Sequence, residues 1–373
     1  MDVSVDIKIG QMIMSGFRGL RPEDDPATLE EIQRGNVGGI VFFERDTVAN
    51  TGALNVESPS QVLALTRGLQ GRAEIPLFIS IDQEGGKINR LNEECGFPPS
   101  VSAKFLGEKN DLTLTKHYAE LTAKTLKEIG INLNLVPDVD LERNLDNPII
   151  AKRERSYSSN PEIVTRHAIE VIRAHHAFGV LCTLKHFPGH GSSSHDSHLG
   201  FVDVSSSWSE DEIVPYRKII AAGLSQRDLQ CDVVMTAHIF NSHLDEQYPA
   251  TLSPNIITGI LRQQLGYNGV VMSDDLQMKA LSSNFTLEET VLQAILAGVD
   301  ILAFANNFLY DRAAVPKAIA IIKQLVREKK ITEERIDQSY QRIMKLKSKM
   351  VPESTQRMNG LNEEKTNEIS TQK

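Results

Sequence analysis

Cysteine is scarce in this sequence: three residues, Cys95, Cys182 and Cys231, lie far apart and form no CxxC pair. That excludes a disulfide framework and a cysteine-rich zinc site, and points to a reducing compartment. Long hydrophobic runs are missing as well. No stretch approaches the ~18 apolar residues of a membrane span, and the opening "MDVSVDIKIGQMIMSGF" lacks the basic, apolar and small-residue regions of a secretory signal. The expectation is a cytoplasmic protein with no membrane partner; a chain trimmed of its signal would read the same, so export is the alternative. Positive charge is in deficit too, with 40 Lys and Arg against 49 Asp and Glu, a net charge of −9 and no basic block to engage nucleic acid. There is no repeat of fixed period, and no second domain is expected.

What the sequence does have is alternation. Short apolar runs at 12–17, 38–43, 77–82, 131–138, 180–186, 232–239, 271–275 and 300–304 are separated by amphipathic segments near 26–34, 60–72, 112–129, 161–178, 209–224, 254–265, 287–297 and 313–328. Asn160-Pro161 and Ser253-Pro254 read as helix starts, and Gly130, Gly179, Gly223 and Gly298 as C-cap glycines. Eight strands alternating with eight helices predict an α/β fold, a single-domain (β/α)8 TIM-type barrel over residues 1–350; an open doubly wound sheet is the other arrangement of the same pattern. A last helix over 332–350, with Thr332 as N-cap, is expected to pack on the barrel. The polar stretch 351–373 reads as a disordered tail.

In such a barrel, chemistry collects at the C-terminal ends of the strands. Here those ends carry Asp82, Asp138, Lys185-His186, His238 and Asp274-Asp275. The fifth run leads into "KHFPGHGSSSHDSH", which holds His186, His190, His195 and His198. A metal cage would need these imidazoles to converge on one ion, and their spacing on a Gly- and Ser-rich loop supplies no register for that. A catalytic loop asks less. Asp196 and His198, two apart, can point to the same side of an extended segment, where the carboxylate orients the imidazole and stabilises its protonated form. In a third reading both residues satisfy loop backbone groups. Spacing leaves Asp274 and Asp275 equivalent, since adjacent strand residues face opposite ways.

Together, "KHFPGHG" with the later "DSH", "DQEGG" (82–86), "VGGIVFF" (37–43) and "GVVMSDDLQM" (269–278) resemble the catalytic domain of glycoside hydrolase family 3, in its β-N-acetylglucosaminidase branch. The resemblance runs from about Lys8 to Met350. It implies a (β/α)8 barrel that removes terminal β-N-acetylglucosamine from peptidoglycan-derived glycans by a retaining double displacement, with no metal or other cofactor; a monomer is expected. Carried over residue by residue, it implies Asp274 as nucleophile, His198 as general acid and then base, and Asp196 as the partner that orients it. It further implies Lys185 and His186 on sugar hydroxyls, and Asp82 and Arg90 on the far side of the ring. The DSH element is the specific part. Two-domain β-glucosidases of the family take their acid/base carboxylate from a second domain, which 373 residues are expected not to contain.

There are departures from the family pattern. Its "NPxIGxRSF" stands here as "NPIIAKRERSY" (147–157), two residues longer, so Arg155 is the expected substrate-binding arginine and Arg153 its alternate. "LGFVDV" follows the dyad in place of the common "xxLP". His195 has no counterpart and reads as an exposed loop residue, His238 as support behind the site, and Glu84 as a cap for the Gly85-Gly86 turn. Other functions stay open on the same residues: a metal-dependent barrel hydrolase built on the histidines, a glycoside phosphorylase, or a sugar-binding barrel without turnover.

Overall fold

The computed structural model describes residues 3–48 and 51–350; the expected tail, 351–373, lies outside them. Eight strands close a barrel: β1 (Ile13–Gly16), β2 (Gly39–Phe42), β3 (Phe78–Ile81), β4 (Leu133–Asn134), β5 (Leu181–Phe187), β6 (Val233–Thr236), β7 (Val270–Asp275) and β8 (Ile301–Phe304). Each strand is parallel to its neighbours. The eight apolar runs fall on these eight strands. The β1–β8 ladder, in which Ile13, Met14 and Ser15 pair with Leu302, Ala303 and Phe304, rules out the open sheet. Strands walled by helices outside and by packed side chains inside have no solvated face, which is why they read as unbroken apolar runs; β1, β2 and β3 are buried throughout.

Helices carry the chain back from the top of each strand to the bottom of the next. Pro26–Gln33, Pro59–Gln70, Leu112–Glu128, Pro161–Ala177, Val214–Ser225, Asn255–Gln264, Leu287–Ala297 and Ala314–Arg327 match the eight expected segments, the sixth wound as a π-helix. Pro161–Ala177 illustrates why they form. Asn160 caps it by accepting from the Glu162 amide at 2.9 Å, Pro161 supplies a first-turn φ, and Val164, Ala168, Val171, Ile172 and His175 recur along its buried face. Ser253 and Thr332 cap their helices in the same way, accepting from Ile256 and Arg335. Gly130, Gly179 and Gly298 adopt the left-handed φ of C-cap positions, 79°, 71° and 119°. Gly223 corrects the expectation. It lies inside Val214–Ser225, where a Cβ would come within 2.9 Å of Gln230 Cα and the Leu229 carbonyl, so close packing and not chain reversal requires it. The helices Val5–Gln11, Ala103–Lys109 and Lys279–Ser282, none longer than 7 residues, are too short for periodicity to reveal.

The last helix, Glu333–Lys347, packs with Val5–Gln11 across the N-terminal end of the barrel, where Lys8 and Asp337 form an ion pair at 2.7 Å. Asp300, fully buried just before β8, ties this end together. Its carboxylate accepts from Arg262 and Ser339 at 2.7 Å, from the Val271 amide at 3.0 Å and from Arg342 at 3.2 Å. Lys347 reaches beneath the floor to Gln11 Oε1 at 2.7 Å and the Gly38 carbonyl at 2.8 Å. Removing the shared carboxylate would leave buried guanidinium groups uncompensated. Asp300→Ala is therefore expected to lower the unfolding free energy by about 3–5 kcal/mol, read as a drop in the urea midpoint.

Candidate active site

The C-terminal ends of the strands open on a cavity of about 700 Å³, room for a sugar ring and part of what is attached to it. Met14, Val41, Leu135, Met235, Met272 and Ala303 form its floor. Its walls include all eight residues expected at the site: Asp82, Arg90, Arg155, Lys185, His186, Asp196, His198 and Asp274.

One wall is a buried ion network. Lys185, 1% exposed at the end of β5, donates to Asp82 Oδ1 at 2.5 Å and lies 2.6 Å from Glu84. The Arg155 guanidinium grips Glu84 through two nitrogens, at 2.8 and 2.9 Å, and lies 3.2 Å from Asp138. Burial alone would raise the Glu84 carboxyl, but the facing Arg155 and Lys185 outweigh it and hold it well below the usual carboxylate range. Burial likewise disfavours a charged Lys185; Asp82 and Glu84 overcome this and shift the amine above its ordinary value. Asp138 goes the other way, pushed well up by burial and by the adjacent Asp140. His186 Nδ1–H donates to Asp140 at 2.7 Å, while Arg155 donates to His186 Nε2 at 3.1 Å, a pattern that fixes the Nδ1–H tautomer. Arg90 is held at the rim by Glu44 at 2.9 Å.

Across the barrel, the structure separates the two aspartates that end β7. Asp275 is buried in the wall, its Oδ1 accepting from the Gln277 and Ala305 amides at 3.1 Å each, and burial raises its carboxyl to about 6. Asp274 is the less buried of the pair, with its Oδ1 accepting from the Asp275 amide at 2.8 Å. Burial would raise the Asp274 carboxyl too. His238, His186 and His198 outweigh that and bring it down to about 2, leaving an anion at neutral pH. His238 stands behind it, Nε2–H donating to the Asp275 carbonyl at 3.0 Å and Nδ1 meeting the Thr251 hydroxyl at 2.8 Å.

The loop after β5 brings its DSH element to the same cavity. Asp196 Oδ1 accepts from both the His198 backbone amide at 2.8 Å and the ring Nδ1–H at 2.7 Å, which leaves Nε2 to face the cavity. The Ser197 carbonyl accepts from the Ala280 amide at 3.2 Å, docking the loop on the segment that follows β7. Burial would lower the His198 pKa, but the Asp196 hydrogen bond and the Asp274 charge prevail, and it rises above the ordinary imidazole value. Phe308, past the end of β8, packs on the His198 ring with centroids 4.7 Å apart. With Leu199 and Leu309 it frames an exposed apolar lip to the cavity.

The four loop histidines do not converge on a point. The rings of His186 and His190 are 6.1 Å apart edge to face, His195 is exposed beside Ser194, and His198 is paired with Asp196. Among the described residues, Asp138, Asp140 and His186 have ligand atoms close enough to share an ion. There the Asp138 carboxylate already meets Arg155, and His186 Nδ1 already donates to Asp140.

One sequence reading changes at this point. Glu84 is not a turn cap: the Gln83–Gly85 ribbon, paired with Ile88–Asn89, directs its carboxylate inward to Arg155 and Lys185. Of the two arginines in the lengthened segment, Arg155 enters the ion network, while Arg153 is exposed at the rim. Sequence reading also passes over Asp140, although the Asp138-Val139-Asp140 spacing at a strand end puts two carboxylates on one face. Phe308 left no such signal, because its partner His198 is distant in the chain.

A closed parallel barrel whose charged side chains gather at the C-terminal mouth is the enzyme type of (β/α)8 fold. The chain belongs to glycosyl hydrolase family 3: the family model for the "Glycosyl hydrolase family 3 N terminal domain" matches residues 4–346. It is 34% identical over 386 residues to the β-hexosaminidase A of Pseudoalteromonas piscicida, covering 93% of this chain and 61% of that one. It is also 34% identical over 288 residues to a β-hexosaminidase of Tolumonas auensis, covering 76% and 80%. Among solved structures, the family 3 β-N-acetylglucosaminidase of a Paenibacillus species superposes with a TM-score of 0.84 at 35% identity, over 94% of this chain and 63% of that one. The β-N-acetylhexosaminidase of Beutenbergia cavernae gives 0.80 at 25% identity, over 93% and 99%. The chain thus spans about three fifths of the length of the Pseudoalteromonas and Paenibacillus relatives.

The Glu84 carboxylate, depressed in the folded state, stabilises the fold above its unfolded pKa of about 4.3, and that contribution is lost as pH falls through the folded value. Glu84→Gln is therefore expected to destabilise at pH 7, with a gap to the wild type that narrows progressively below pH 4 in denaturant titrations.

Proposed function

We propose that this chain is a retaining exo-β-N-acetylglucosaminidase. The observation that carries the reading is an ionised strand-end carboxylate, Asp274, sharing a cavity with a histidine, His198, that a carboxylate orients and keeps protonated. A retaining glycosidase needs a nucleophile on one face of the sugar and a proton donor at the leaving oxygen. In the first step Asp274 attacks the anomeric carbon as His198 Nε2–H protonates the glycosidic oxygen; the C–O bond breaks and the aglycone departs with the proton. In the second, neutral His198 takes a proton from water, the hydroxide attacks the same carbon, and Asp274 is released. Lys185, Asp82 and Arg155 surround the position for the sugar hydroxyls, with His186 fixed behind by Asp140.

The named relatives support N-acetylglucosamine as the sugar. Peptidoglycan fragments are the proposed source. The exposed cations Arg153 and Lys279 at the mouth suit an aglycone that carries carboxylates. Three free cysteines, two of them buried, accord with action in the cytoplasm.

Release of nitrophenol from the β-N-acetylglucosaminide, with little from the β-glucoside, is the expected substrate pattern; equal or reversed rates would remove the assignment. A fluorinated N-acetylglucosaminide should leave a covalent label on Asp274, located by peptide mass spectrometry, and Asp274→Asn should lower kcat by about 10⁴-fold or more. Acid and base limbs of kcat/KM report the free enzyme. The acid limb is therefore expected well below pH 4 and the basic limb above pH ~6.5. Asp196→Asn takes away the larger of the two influences that raise His198, leaving Asp274, so the basic limb should move to lower pH.

A further inference from the structure

We propose that His190 is a positioning residue that holds the Asp196–His198 pair at the cavity. The inference rests on the reading of His198 as proton donor.

The loop has an anchoring problem that its sequence makes plain. Between Pro188 and Leu199 there is no large aliphatic or aromatic hydrocarbon side chain, only Gly, Ser, His and Asp. Apart from the Phe308 ring on His198, apolar packing has nothing in this segment to hold, so polar contacts must fix the rest of the DSH element. His190 supplies them. It is 2% exposed, and its backbone amide donates to Asp140 Oδ1 at 2.7 Å, which fastens it to the strand-end carboxylate that also holds His186.

Its ring reaches in two directions, with Nδ1 2.6 Å from Ser193 Oγ and Nε2 3.1 Å from Ser197 Oγ. The Ser193 hydroxyl donates to the His190 carbonyl at 3.0 Å, so Nδ1 is the ring donor and Nε2 accepts from Ser197. Burial pushes the imidazole down to about 4, which keeps this one-donor, one-acceptor form at working pH. Ser197 lies between Asp196 and His198 in the chain, and its carbonyl is docked on Ala280. The imidazole therefore bridges the barrel rim and the middle of the catalytic element, while Asn147 braces the far side through Ser193 Oγ at 3.1 Å.

A displaced donor impairs reactions that need protonation of the leaving group more than those that do not, and a shift of about 1 Å can cost a hundredfold. The test compares two N-acetylglucosaminides, one with a sugar aglycone and one with 2,4-dinitrophenolate, across His190→Phe, His190→Gln, Ser197→Ala and His198→Ala. Expected are losses of roughly tenfold to a hundredfold in kcat/KM on the sugar aglycone for His190→Phe and Ser197→Ala, with far smaller losses on the dinitrophenyl substrate. His190→Gln, which can still offer an acceptor to Ser197, should recover part of the activity. Equal losses on both substrates, or none, would overturn the role of His190 provided that His198→Ala itself discriminates between them. If His198→Ala slows both alike, the donor assignment fails and this inference falls with it. Ser197→Ala removes one hydroxyl, so it carries the comparison should His190→Phe not fold.

Discussion

The site depends on charge that has been taken out of water and must be answered locally. Lys185 is nearly sealed at the end of β5 and is flanked by Asp82 and Glu84; Glu84 also engages Arg155, which in turn reaches Asp138 and His186. Asp82, Glu84, Lys185 and Arg155 each lie where opposite charge compensates them, and none of these four can shift alone without leaving a desolvated ion. Such networks add little net stability, because desolvation offsets most of the attraction. What they do is fix geometry. Here the ends of β3 and β5 and the segment after β4, which the barrel only brings near one another, are locked into a single polar wall.

That wall is tied at every corner, and the Asp196–His198 pair beside it is not built the same way. Asp274 stands on a barrel strand with hydrogen bonds on both sides, and its partner Asp275 clasps the start of the next loop through Ala305. His198 instead arrives on a loop whose first half is tied to Asp140, Asn144, Asn147 and Glu212, and whose DSH end is held by the His190 imidazole, a backbone hydrogen bond to Ala280 and the Phe308 ring. Asp274 and His198 therefore differ in the kind of element that carries them, one a barrel strand and one a loop, while their electrostatics are joined: the anion at Asp274 helps to keep His198 protonated, and His198 helps to keep Asp274 ionised.

Much of this is legible in the amino-acid sequence. Parallel strands buried on both faces announce themselves as apolar runs, so all eight were found, and the strand-end rule pointed to the cavity walls. The Asp196-x-His198 pair was readable because its interaction is local. Glu84 was misread because its direction depends on how a short ribbon folds over the barrel end, and the partners that claim it, Arg155 and Lys185, are distant in sequence. Asp274 and Asp275 could not be told apart by alternation alone; the backbone amides of Gln277 and Ala305 make the difference. Gly223 reads as a cap because a glycine near a helix end usually is one, whereas here a neighbouring chain segment demands the missing Cβ.

The pairing of the first and last helices beneath the barrel, with Lys8 on one tied to Asp337 on the other, has a practical side. Chain joined ahead of Val5 or beyond Met350 sets out from the closed end, on the pole opposite the cavity mouth. Tethering through either point, to a bead, an electrode or a fused carrier, should leave the cavity open to solvent from the other hemisphere.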